Sequence, residues 1–121
     1  MNSEQLKENV LTALDDMKAQ EVVAIDISDI SNFADYMIVA SGTSDTHVKA
    51  IANNAAKDLT LKGMKPLSEE GADVSEWVLI DFGDVVLNVM RPEVRAFYEL
   101  EKLWDTDVRK MLEESRQAET E

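Results

Sequence analysis

The chain contains no cysteine, which excludes disulfide scaffolds, cysteine zinc sites and thiol nucleophiles. It contains one histidine, His47, and a single imidazole does not build a typical zinc site without cysteines. Four glycines and two prolines in 121 residues leave no Pro/Gly-rich linker, and no repeat or low-complexity block interrupts the chain. No apolar run approaches the roughly 20 residues needed to span a bilayer. Met1 to Val10 is polar and helical in character, unlike a signal peptide, so the expected location is cytoplasmic. Basic residues are also scarce: 12 Lys and Arg stand against 25 Asp and Glu, a formal net charge of −13. Such a chain is repelled by phosphate backbones and by acidic membrane surfaces. Its natural counterpart is a basic partner, because opposite fields speed encounter.

What remains is an ordinary globular domain. At 121 residues the chain is long enough for one domain with a real core. We expect that domain over residues 1–105 and a polar tail or helical extension over 106–121. The acids are unevenly placed. No Lys or Arg lies between Lys18 and Lys49, where Glu21, Asp26, Asp29, Asp35 and Asp45 stand. None lies between Lys65 and Arg91, where Glu69, Glu70, Asp73, Glu76, Asp81 and Asp84 stand. Convergence of these two stretches would make one acidic face.

Periodicity predicts a first helix over residues 3–20, with Leu6, Val10, Leu14 and Met17 on one side and Ser3 as cap. Residues 21–27 and 36–40 read as strands. Val48, Ile51, Ala52, Ala55 and Leu59 mark a second helix, capped by Thr43 or Ser44 and stopped at Gly63. A short strand is expected near Leu67. Residues 77–82 and 85–90 read as strands joined by Gly83-Asp84, a hairpin signal with glycine first. Pro92 opens a last helix whose apolar side carries Val94, Phe97, Leu100, Leu103 and Trp104. This order implies an α/β (α+β) domain, a mixed β-sheet flanked by helices.

Candidate chemistry is thin. The Ser41-Gly42-Thr43-Ser44 turn between a strand and a helix has the form of an anion cradle, but it lacks the Gly-Lys ending of a P-loop. A nucleotidyltransferase would need two metal-binding aspartates about ten residues on; Asn53, Asn54 and a lone Asp58 stand there. An N-cap and a tight turn explain the residues more simply, and His47 fits a capping or surface role. Asp81 and Asp84 flank a turn, where acids are common for conformational reasons. Along its strand, Trp77 shares a face with Asp81, while Val78, Ile80 and Phe82 share the more apolar, core-facing side. Trp77 therefore either meets a partner or packs beneath the last helix.

Taken together, three segments resemble the ribosomal silencing factor (Iojap-related) family over nearly the whole chain. The first joins Asp26-Ile27-Ser28 to the run from Ala34 to Ser44. The second is His47-Val48. The third joins Glu70-Gly71, the run Trp77-Val78-Leu79-Ile80-Asp81-Phe82-Gly83-Asp84, and Glu93-Val94-Arg95 with Phe97 to Trp104. Thr46, Asn88 and Phe82 stand where Arg, His and Tyr are common in the family. The resemblance implies a nucleotidyltransferase-like fold that has lost catalysis and works without cofactor or metal. It also implies a homodimer in the free state. The implied activity is binding a basic protein, universal large-subunit protein fourteen, at the inter-subunit face of the large ribosomal subunit. That would block subunit joining and repress translation when nutrients are short; organelle relatives would assist large-subunit maturation. On this reading Trp77, Phe82, Tyr98 and Trp104 are expected as apolar anchors, and Glu70, Asp73, Asp81 and Asp84 as partners for Lys or Arg. The alternative is a residual nucleotide-binding enzyme built on the 41–44 turn.

Overall fold

A computed structural model describes the backbone of residues 1–104 and the side chains of residues 1–102. The Trp104 side chain and the expected 106–121 tail lie outside the described residues.

Helix α1 (Ser3–Asp16) begins at the expected residue, but Asn2 rather than Ser3 is its cap. The Asn2 side chain accepts from the Gln5 N–H at 2.8 Å, and the Gln5 side chain accepts from the Asn2 N–H at 3.1 Å. This reciprocal capping box satisfies two otherwise orphaned donors. The helix stops short of residue 20 because Lys18 turns left-handed, with φ +57°. Lys18 N–H then donates to the Asp15 carbonyl and Ala19 N–H to that of Leu14, the double bond pattern that closes helix ends.

Five strands follow: β1 (Gln20–Asp26), β2 (Tyr36–Ser41), β3 (Ser68–Glu70), β4 (Trp77–Asp81) and β5 (Val85–Met90). Helix α2 (Asp45–Leu61) lies between β2 and β3, capped by the Ser44 side chain and closed at Gly63, φ +91°. The strands form one sheet in the order β1-β2-β5-β4-β3. β2 and β5 are parallel, with Tyr36 beside Val85 and Ser41 beside Met90; every other pair is antiparallel. The β4–β5 hairpin turns at Gly83, φ +97°, where a side chain would be strained, and Phe82 N–H bonds the Val85 carbonyl at 2.9 Å. The expected mixed sheet with helices is thus present.

One face of the sheet carries Ile38, Ala40, Val78, Ile80, Phe82, Val85, Leu87 and Val89, all buried beneath α1 and α2. Burying a side chain of this size contributes roughly 1.5–3 kcal/mol, so this layer dominates stability. The α1–α2 layer is also tied by polar bonds. Asn54 Nδ2 donates to the Ala13 carbonyl at 3.1 Å, and His47 Nε2 donates to that of Met17 at 2.8 Å.

The last helix departs from expectation. α3 (Pro92–Tyr98) ends at Glu99, which is left-handed at φ +49°, and a 3₁₀ turn (Leu100–Trp104) follows. The reversal brings Glu101 onto Arg95, with Nε donating to Oε1 at 2.6 Å. Residues six apart fall on different faces of a continuous helix, so this ion pair requires the break. α3 itself contains no buried residue.

Candidate functional site

The second face of the sheet is built by strand parity. Alternate residues Met37, Val39 and Ser41 of β2 stand beside Val86, Asn88 and Met90 of β5, which stand beside Asp81, Leu79 and Trp77 of β4. Among the described residues no long helix covers this face. The 27–35 segment closes one end, where Ile27 and Ala34 pack with Val86. α3 closes the other end. There Arg95 Nη1 donates to the Ser41 hydroxyl at 2.9 Å, and the Tyr98 ring lies 5.0 Å from that of Trp77 at a tilt of 51°. Between the two ends Ile25, Met37, Leu79 and Trp77 are half-buried.

Trp77 meets one of the two expectations for it. It packs against the last helix through Tyr98, yet stays half open to solvent. Its ring is fixed on a second side, because Nε1–H donates to Asn88 Oδ1 at 2.9 Å. Asn88 is fully buried and its Nδ2 has no hydrogen-bond partner among the described residues. Tyr98 is 54% exposed, and Phe97 packs edge-on against it while 80% exposed. Phe97 was not among the anchors expected from sequence. It lay on the apolar side of the last helix, and its 80% exposure shows that at this position that side meets solvent.

Glu70 stands directly across from Leu79, beside Trp77 on the same face. Asp73 follows in the exposed 71–76 loop. Asp81 and Asp84 are elsewhere: four residues of strand separate Trp77 from Asp81, roughly 13 Å. The Asp81 carboxylate accepts from the Gly83 N–H at 2.8 Å and shapes the hairpin. Asp84 is exposed at that turn. Of the seven expected site residues whose side chains are described, Glu70, Trp77 and Tyr98 lie at one end of this face, Asp73 stands in the exposed loop that follows Glu70, and Asp81 and Asp84 form a separate pair at the hairpin. Phe82 belongs to neither. At 2% exposure it is part of the core beneath the helices, so it is no surface anchor. Its parity with Val78 and Ile80 decides this.

The two base-free stretches converge only locally. β1 and β3 are opposite edges, about 19 Å apart at about 4.8 Å per strand, which separates Glu21 and Asp26 from Glu69 and Glu70. They meet at the hairpin end, where the Asp35 N–H donates to the Asp84 carbonyl at 2.8 Å.

The 41–44 turn is occupied by its own chain. Gly42 N–H donates to the Met90 carbonyl at 3.1 Å, and Thr43 N–H to His47 Nδ1 at 2.9 Å. The Ser44 hydroxyl accepts from the His47 N–H at 3.1 Å. A Cβ at position 42 would fall 2.8 Å from the Val48 nitrogen. Glycine is thus needed for close helix packing, and the amides a phosphate would require are already engaged. Asp58 pairs with Lys62 at 3.0 Å.

A half-open apolar face with a fixed tryptophan, exposed aromatics and flanking acids suits protein docking. A family model described as ribosomal silencing factor during starvation matches residues 1–121. A ribosomal silencing factor of Halalkalibacterium halodurans is 40% identical over 104 residues, covering 86% of this chain and 89% of that protein. Mouse mitochondrial assembly of ribosomal large subunit protein 1 is 36% identical over 91 residues, covering 71% of this chain and 39% of that protein. A crystal structure of a Chromobacterium violaceum protein superposes with a TM-score of 0.85 at 38% identity, covering 86% of this chain and 87% of that one. With a family match along its full length and a fold shared with such relatives, the chain belongs to the ribosomal silencing factor family.

Proposed function

We propose that this protein docks on the large ribosomal subunit through the second sheet face and sterically prevents the small subunit from joining. Its contact there is a basic ribosomal protein, universal large-subunit protein fourteen, at the inter-subunit face. No bond is made or broken; occupancy alone lowers translation when nutrients are short. The free protein is a homodimer that acts in the cytoplasm.

The observation that carries this reading is the Trp77–Tyr98 pair held over an apolar sheet face beside the Glu70 carboxylate, which is unpaired among the described residues. Aromatic anchors ringed by charge are typical of binding hot spots. A net charge of −13 steers the protein to a basic protein patch and away from bare RNA. Family membership and the name of the mouse relative point to the large subunit.

The test is a sucrose gradient with purified ribosomal subunits at physiological salt. Co-migration with the large subunit alone, and fewer joined particles when small subunits are added, is the expected result. A protein that stays at the top of the gradient would refute the proposal.

A further inference from the structure

We propose that the groove between Glu70 and Trp77 is a socket for one arginine side chain of the docking partner. This rests on the docking reading above and adds the group that is recognised and the residues that recognise it.

The groove has a volume of about 360 Å³ and is lined by Glu70, Gly71, Trp77 and Leu79. Its shape follows from the register. Glu70 and Leu79 are cross-strand neighbours, and Trp77 is the next residue of β4 on the same face. Gly71 fixes one end of it by close backbone approach. A Cβ there would lie 2.1 Å from the Trp77 carbonyl oxygen, and φ is +86°, so only glycine lets the chain leaving β3 pass this close to β4. The indole is held in advance by Asn88 on its N–H and Tyr98 against its ring. The Glu70 carboxylate has no hydrogen bond or salt bridge among the described residues, whereas Asp58 and Glu101 are paired with Lys62 and Arg95.

An aromatic wall, an aliphatic floor and a free anionic end match a long side chain with a cationic tip. Arginine fits this better than lysine. Its planar guanidinium stacks on an indole and forks onto a carboxylate at once, and it gives up hydration more readily than an ammonium. A preformed socket also spares the ordering cost of binding.

Two measurements test the proposal. The first compares Glu70→Gln with Glu69→Gln in binding to purified large subunits. Both variants remove one negative charge, but Glu69 pairs with Ile80 and so lies at the other parity of β3. The expected result is at least about a ten-fold loss for Glu70→Gln, the scale of one charge-assisted hydrogen bond, and less than about two-fold for Glu69→Gln. Equal losses would mean that only bulk charge matters and would overturn the socket. The second titrates the wild-type protein with N-acetyl-arginine amide and follows the Trp77 indole N–H by NMR, with the citrulline amide as neutral control. A shift with the arginine compound alone supports the socket. A resonance that does not move, or that moves equally with both, overturns it. If large subunits do not bind but the arginine titration succeeds, the docking reading falls and the socket stands.

Discussion

Arg95→Met should loosen α3 and leave the rest of the domain intact. α3 buries none of its residues. Its side chains reach the sheet through the Arg95 bond to Ser41 and through Tyr98 against Trp77, and Arg95 also ties the following turn through Glu101. The Arg95 side chain is only 11% exposed, and Ser41 is 2% exposed. Methionine keeps the stem and removes both donors, leaving the Ser41 hydroxyl buried without its partner. A hydrogen bond to a charged group contributes about 1.5–3 kcal/mol. Partial solvation of Glu101 argues for the lower part of that range, so the local loss is about 2 kcal/mol, roughly a 30-fold change in an opening equilibrium. Hydrogen exchange by mass spectrometry reads this directly. Amides of residues 94–99 should exchange about 30-fold faster, while those of α1, α2 and β5 keep their protection. Uniform acceleration across the sheet would show that α3 belongs to the cooperative core, and unchanged α3 exchange would show that Arg95 does not hold it. Either result refutes the reasoning.

Other outcomes follow from the same geometry. Phe82→Ala empties a core position and should cost about 3–5 kcal/mol, read as a large drop in denaturant midpoint; a loss below about 1 kcal/mol would place the ring outside the core. Trp77→Ala should weaken large-subunit binding by at least about 2 kcal/mol while circular dichroism stays native, and normal affinity with an intact fold would remove Trp77 from the docking face. Asp81→Lys combined with Asp84→Lys should slow association and flatten its salt dependence. An on-rate that does not change in stopped-flow mixing would exclude steering by the hairpin end.

The sequence was readable where local chemistry decides structure. Gly83 before Asp84 marked the hairpin, Ser44 and Gly63 bounded α2, and the parity of Val78, Ile80 and Phe82 marked the core face. It was less readable where distant residues decide. The break at Glu99 goes with Arg95 reaching forward to Glu101 and across to Ser41, contacts that no helical periodicity announces. Phe82 was expected as an anchor from its place in a family motif, against the strand parity that put it inside. Glu70 and Trp77 were both expected at the site. Their groove required the β3–β4 register and the closeness of Gly71 to the Trp77 carbonyl, neither of which is encoded locally.

The parallel pairing of β2 with β5 also constrains how the domain can be assembled. β5 is the last strand among the described residues but holds a central place in the sheet, between β2 and β4. β1 and β2 can pair as soon as they are made, and β4 and β5 can close their hairpin locally. Joining the two halves means closing a loop of about 50 residues, an entropic cost met before any β2–β5 contact forms. During synthesis, β2 therefore keeps one apolar edge open until nearly the whole domain has left the ribosome. For that interval the chain is exposed to strand-edge mispairing, and a product truncated before Val85 would keep that edge permanently.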